Sequence, residues 1–175
     1  MKLKVCLVGE RAVGKTSLVR RFVQDEFDDR YIRTLGTKVS KKKLKVERSD
    51  ADREYHINMT IWDIMGEKSF TDLLQEAFFY GANGVIAVCD LTRKKTLKEL
   101  KGWVEQVYGV TGEVPVVILG NKKDLEDRAQ LTIKDLNRLC KKYQSSAYLT
   151  SAKTGEDVEG AFQGLAEAMV DQRTT

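Results

Sequence analysis

Residues 9–17 read GERAVGKTS and stand between the apolar run 3–8 and a stretch of helical pattern that opens at Lys15. The spacing G-x-x-x-x-G-K-[ST] constrains this chain more than any other feature. A glycine-rich turn from strand to helix aims its backbone N–H groups, together with the positive end of the helix, at one place, which makes an anion site. The loop residues Ala12, Val13, Gly14, Lys15, Thr16 and Ser17 are therefore the candidate phosphate contacts. In this motif Lys15 would reach the terminal phosphates as a point charge and the Thr16 hydroxyl would hold Mg²⁺. Arg11 puts a further cation into the wall of the same loop.

With 175 residues, 42% of them hydrophobic, the chain is sized for a single globular domain, taken as 1–175. Short apolar runs alternate with helical patterns, and no linker or low-complexity stretch interrupts them. Strands are expected over 2–8, 37–46, 55–63, 84–90, 114–119 and 146–150, and helices over 15–24, 69–79, 92–108, 133–143 and 157–170. The second and third strands flank the polar stretch ERSDADRE and should form a hairpin. In the third, Tyr55, Ile57, Met59 and Ile61 alternate with His56, Asn58 and Thr60, so one face is buried and His56 reads as an exposed strand residue without metal partners around it. Thr132 with Asp135 three residues later has the form of a capping box, and Val158, Ala161, Phe162, Leu165, Ala166 and Met169 make a helical stripe that faces a sheet. The expected class is α/β: a three-layer sandwich around a mostly parallel six-stranded sheet with one antiparallel edge hairpin.

Thirty Lys and Arg against 26 Asp and Glu leave a formal charge of +4, too mild to imply nucleic acid. The apolar part of MKLKVCLVGE is too short for a signal sequence, and nowhere do eighteen apolar residues run together. With no glycine after Met1 and no cysteine near the end, no membrane anchor is expected in this chain. Three widely spaced cysteines give no disulfide framework and suit a reducing cytoplasm. A monomer is expected.

In sheets of this kind the ligand sits at the carboxyl ends of the strands, and the remaining motifs gather there. WDIMG ends the third strand and leaves Asp63 at the mouth, either as a carboxylate that holds the metal through water or as a simple turn residue. NKKD, 121–124, and TSAK, 150–153, follow the fifth and sixth strands. Guanine offers adjacent N1–H and N2–H₂ donors, which one carboxylate such as Asp124 can accept as a pair. Adenine has an acceptor at N1 and nothing at C2, so the same carboxylate would face a lone pair in a buried site. The Ala152 amide beside Ser151 suits guanine O6, Asn121 can tie strand to loop, and the stems of Lys122 and Lys153 can cover the base faces. NKKD alone could be a solvated turn; behind a phosphate loop and ahead of SAK it reads as a guanine site.

GERAVGKTS, TLG, WDIMGE, NKKD and TSAK stand in the order and approximate spacing of the Ras-like small GTPases, and FFYGANGVIAVCDLT is most similar to the Rab branch. The resemblance runs from residue 2 to about 170. It implies a P-loop NTPase G domain that binds GTP or GDP with Mg²⁺ and acts as a molecular switch, two segments changing shape when the γ-phosphate is lost. The first switch would cover 27–38, with Phe27 packed on the base and Thr34 completing the Mg²⁺ shell. Thr37 is a rival for that role, although Thr34 stands directly before Leu-Gly as the family's threonine does. The second switch would begin at the metal-side Asp63, with the Gly66 amide meeting the γ-phosphate. Effector, exchange-factor and activating proteins would bind through these segments, and the location implied is cytoplasmic, with peripheral membrane contact through partners.

Three positions depart from the family's pattern. Most relatives carry glutamine where Glu67 stands. A carboxylate cannot donate to a phosphoryl oxygen and adds negative charge to a transition state already rich in it, so slow hydrolysis is expected. Met65 replaces a usual alanine beside Gly66, and Arg11 replaces a residue that is often small at the edge of the γ-phosphate. Three arrangements stay open for Arg11: an ion pair with Glu67, a cis arginine finger on the phosphate, or a side chain in solvent. The hairpin looks longer than usual, and its lysines, Lys41 to Lys43 and Lys45, fit either an acidic partner or an edge guarded against aggregation. Two functions remain. One is a GTPase, slow alone, with Lys15, Thr34, Gly66, Glu67 and Arg11 as its catalytic set; the other is a GTP-loaded, hydrolysis-deficient docking module for effector proteins.

Overall fold

In a computed structural model of the chain, residues 1–48 and 53–174 are described. The elements follow as β1 (Lys2–Val8), α1 (Lys15–Gln24), β2 (Thr37–Arg48), β3 (Arg53–Ile64), α2 (Lys68–Phe79), β4 (Gly84–Asp90), α3 (Lys94–Thr111), β5 (Val116–Asn121), a 3-10 helix over Lys123–Arg128, α4 (Ile133–Tyr143), β6 (Ser146–Leu149) and α5 (Val158–Thr174). The sheet order is β2-β3-β1-β4-β5-β6. β2 and β3 pair antiparallel and all other neighbours are parallel. The middle of the ERSDADRE stretch, 49–52, lies outside the described residues.

The three layers follow from the apolar periods. β4 is buried along its whole length, as a central parallel strand covered on both faces must be. On one side α1 and α5 pack Leu18, Phe22, Phe162 and Leu165 against Val5, Leu7 and Ile61, with the Phe22 and Phe162 rings stacked at 4.0 Å. On the other, Phe79, Trp103, Val107 and Leu136 of α2, α3 and α4 cover Cys6, Val8, Val85 and Ile118. Cys6, Cys89 and Cys140 are all buried and free. Burial pushes the Cys6 and Cys89 thiols up to about 12, which leaves them inert core side chains.

Element ends differ from the sequence expectation where local hydrogen bonds compete. β5 starts at Val116 rather than at 114, because Pro115 has no N–H to give and only its carbonyl, which accepts from Val85 N at 2.9 Å, joins the ladder. α3 starts at Lys94 rather than at 92. The Asp90 carboxylate accepts from the Thr92 amide and hydroxyl at 2.8 and 2.7 Å, which holds the chain in a turn. The 3-10 helix directly after β5 was not expected at all. The capping box is present as expected, with both the Thr132 and the Asp135 side chains bonded to backbone N–H groups.

Candidate functional site

The strand ends open onto a cavity of about 320 Å³ lined by the loop after β1, the 28–34 segment, the 64–67 turn and the loops after β5 and β6. Of the residues expected there, Arg11, Ala12, Gly14, Lys15, Thr16, Ser17, Phe27, Thr34, Gly66, Glu67, Asn121, Lys122, Asp124, Ala152 and Lys153 all line it. Val13, Asp63 and Ser151 stand behind the wall and act through their bonds to those that line it.

At the phosphate end the loop closes around the lysine. Lys15 Nζ donates to the Gly9 and Glu10 carbonyls at 2.8 and 2.9 Å, and burial lowers its pKa to about 8. Gly14 has φ of 102°, and a Cβ there would lie 2.2 Å from Asn121 Nδ2, so both backbone conformation and close approach require glycine. Glu10 is fixed from below by Trp103, whose indole Nε1 donates to it at 3.0 Å.

Three oxygens meet at the next corner. The Thr16 hydroxyl donates to the buried Asp63 carboxylate and lies 2.8 Å from the Thr34 hydroxyl. The second Asp63 oxygen, Oδ1, is buried with no hydrogen-bond partner among the described residues, and burial raises the pKa of the group. Of the two rival threonines, Thr34 lines the cavity and Thr37 does not.

The base end is a closed set of bonds. Asn121 Nδ2 donates to Val13 O at 3.0 Å, while its Oδ1 accepts from Thr150 Oγ1 at 3.2 Å and from Ala152 N at 3.3 Å. The Ser151 hydroxyl donates to Asp124 Oδ1 at 2.7 Å and orients that carboxylate at the wall. Phe27 lines the cavity and packs against the core.

The edge where the family's pattern puts the γ-phosphate contains an unforeseen residue. Glu67 pairs with Arg33 of the 28–34 segment, while Arg11 Nη1 stands 3.9 Å away, at the outer limit of an ion pair, with its side chain 59% exposed. Arg11 and Glu67 thus face each other, but Arg33 is the nearer partner. Gly66 lies on the phosphate loop itself: a Cβ there would come within 2.5 Å of Arg11 N. Met65 is buried, its N–H donating to Gly36 O at 3.0 Å while its sulfur accepts from Gly36 N at 3.3 Å.

Sequence reasoning also missed the groups that brace the loops from outside. Asp90 is buried at the end of β4; burial pulls its pKa up, but bonds from Lys122, Thr92 and Arg93 hold it below the usual carboxylate value. Arg93 Nε donates to that carboxylate at 2.9 Å and its Nη2 to the Arg11 carbonyl at 2.9 Å, so it is a strut from β4 to the phosphate loop. Arg21 of α1 does the same for the base end, donating to the Ala152 and Lys153 carbonyls at 2.9 and 2.7 Å. The only sequence signal was an acidic strand end followed by a basic residue three positions on, which is common to many turns.

The sequence matches the family model described as Ras family over residues 4–171. Ras-related protein Rab-21 of Bos taurus is 33% identical over 169 residues, covering 96% of this chain and 73% of that protein. Ras-related protein Rab-13 of Rattus norvegicus is 30% identical over 164 residues, covering 93% and 77%, and GTP-binding protein ypt4 of Schizosaccharomyces pombe is 29% identical over 170 residues, covering 96% and 71%. The match spans both ends of the cavity and the switch segments between them, and the chain belongs to the Ras family of GTP-binding switch proteins.

Proposed function

We propose that this protein binds GTP and GDP with Mg²⁺ and hydrolyses GTP slowly until a partner rearranges its second switch. The observation that carries the slow step is the Arg33–Glu67 pair, which occupies the side chain at the position that would orient the attacking water. Asp124, aimed by Ser151, supports guanine over adenine, since it presents two acceptor oxygens where guanine has two donors. Thr16, Thr34 and Asp63 fit a hard divalent cation: they bring oxygens together, and one Asp63 oxygen is left without a partner among the described residues. Bound there, Mg²⁺ would neutralise charge on the β- and γ-phosphates.

Hydrolysis requires a water oxygen to bond the γ-phosphorus as the bond to the β–γ bridging oxygen breaks, leaving GDP and phosphate. Lys15 would hold the β- and γ-oxygens, and the Gly66 amide would meet the γ-phosphate from the second switch. Glu67, paired with Arg33, offers the water no donor hydrogen and sets a negative charge near it. The same pair favours the alternative, a GTP-loaded docking module, if no turnover occurs at all.

Single-turnover hydrolysis of preloaded GTP, with the bound nucleotides separated afterwards, tests both readings. Slow conversion to GDP, accelerated at least about tenfold in Glu67→Gln, is the expected result. Conversion already as fast as in the variant would overturn the inhibitory role of Glu67, and no conversion in either protein would select the docking module. ATP displacing GTP at similar concentrations would overturn the guanine assignment.

A further inference from the structure

Arg93 does not line the cavity, yet it reaches the wall from behind. The Asp90 carboxylate, 1% exposed, is fixed by the Thr92 amide and hydroxyl and by Lys122 Nζ at 2.7 Å, and it accepts from Arg93 Nε at 2.9 Å. A guanidinium is a rigid fork, so seating Nε sets the direction of Nη2, which donates to the Arg11 carbonyl at 2.9 Å. Arg11 and Ala12 line the cavity whereas Arg93 does not, so that carbonyl faces away from the cavity. In a planar trans peptide the C=O and N–H point opposite ways, which turns the Ala12 N–H inwards. No acceptor among the described residues takes that hydrogen.

This is not the orientation the backbone prefers by itself. Ala12 has φ of 61°, in the left-handed region that disfavours a residue with a Cβ. Rotating the 11–12 peptide by about half a turn would carry φ of Ala12 back to negative values and swing its N–H away from the cavity. The bond from Arg93 opposes that flip, and among the described residues it is the one bond that the Arg11 carbonyl accepts.

We propose that Arg93 is a positioning residue for the nucleotide: it latches the Arg11–Ala12 peptide with its N–H aimed at the terminal phosphates. The inference rests on the nucleotide reading of the cavity and adds to it a side chain that acts through the backbone rather than by contact with the ligand. Asp90 is the seat of the latch, and because Lys122 bonds the same carboxylate oxygen, one buried group braces both the phosphate loop and the lysine at the base end.

Dissociation constants of GDP and GMP for the full chain, measured with Mg²⁺ by competition against a fluorescent GDP, test the latch in four proteins: the unchanged chain, Arg93→Ala, Ala12→Gly and the double variant. Thermal melting in parallel reports folding, and Asp90 keeps its bonds to Thr92 and Lys122 when Arg93 is removed. With Ala12 retained, loss of the latch makes the inward peptide the minor state, so Arg93→Ala should weaken GDP about tenfold while GMP, which lacks the terminal phosphate, changes by less than about threefold. In the Ala12→Gly background neither orientation is preferred, so adding Arg93→Ala should weaken GDP only about twofold. That rescue separates a latch from a general brace, whose loss a more flexible loop would aggravate. Equal losses of GDP in the two backgrounds, a loss of GMP equal to that of GDP, or a GDP affinity left unchanged by Arg93→Ala would overturn the proposal. Failure of the unchanged chain to bind GDP would overturn the nucleotide reading itself, and this inference with it.

Discussion

The two ends of the cavity are built from different materials. At the base end Asn121, Thr150, Ser151 and Ala152 are buried; Asn121 bonds Thr150, Ala152 and the backbone of the phosphate loop, and Ser151 bonds Asp124. At the other end three charged side chains, Arg11, Arg33 and Glu67, share one cluster at the surface. Breaking the first set leaves buried polar groups unpaired, at about 1–3 kcal/mol each. Redistributing the second costs about 1 kcal/mol or less, because water screens it. The end expected to take the base is therefore set by bonds within the protein, whereas the edge expected to take the γ-phosphate can exchange partners at little cost.

The strongest way to break this contrast is at the base. Asp124→Asn should weaken GTP about a hundredfold in a competition assay with a fluorescent nucleotide, and should improve xanthosine triphosphate, whose extra C2 carbonyl an amide can satisfy. Unchanged GTP affinity would mean that the base end is not the rigid half. Gly66→Ala is the intermediate case. Its Cβ, 2.5 Å from the phosphate-loop backbone, would force the second switch away, so affinity for a non-hydrolysable GTP analogue should fall about tenfold while GDP binding holds. Equal losses for both nucleotides would place the damage in the loop rather than in the switch. The smallest effect belongs to the ion pair: a double-mutant cycle of Arg33→Ala with Glu67→Gln on the GTP dissociation rate should give a coupling of no more than about 1 kcal/mol. A coupling several times larger would show that the phosphate edge is as firmly set as the base.

Legibility followed the same division. Local signals identified the phosphate loop, the hairpin strands, the Thr132–Asp135 capping box and the stripe on α5, because each is written within a few residues. A donor-and-acceptor argument proposes Asp124 without coordinates, and the structure brings it to the cavity wall with Asn121 and Ala152. Arg33 escaped: its partner Glu67 lies 34 residues away, and an arginine in a polar segment carries no sign of where its guanidinium ends. Arg21 and Arg93 escaped for the same reason, bonding carbonyls 131 and 82 residues distant that only the completed sheet brings near. The 3-10 helix over Lys123–Arg128 follows from a left-handed Lys122, with φ of 70°, which no residue type at that position announces.

The Met65 contacts extend a regular pattern beyond its formal end. β2 and β3 are paired as far as Thr37 and Ile64, and the bond from Met65 N to Gly36 O adds one more rung before the strands part. The two segments expected to switch thus leave the sheet as the two lips of a single zipper whose teeth run back down the hairpin. One rung is worth about 1 kcal/mol, so losing or gaining it changes the odds of an open lip roughly fivefold. A thioether is a weak acceptor, and the second tooth, from Gly36 N to the Met65 sulfur, is the softest.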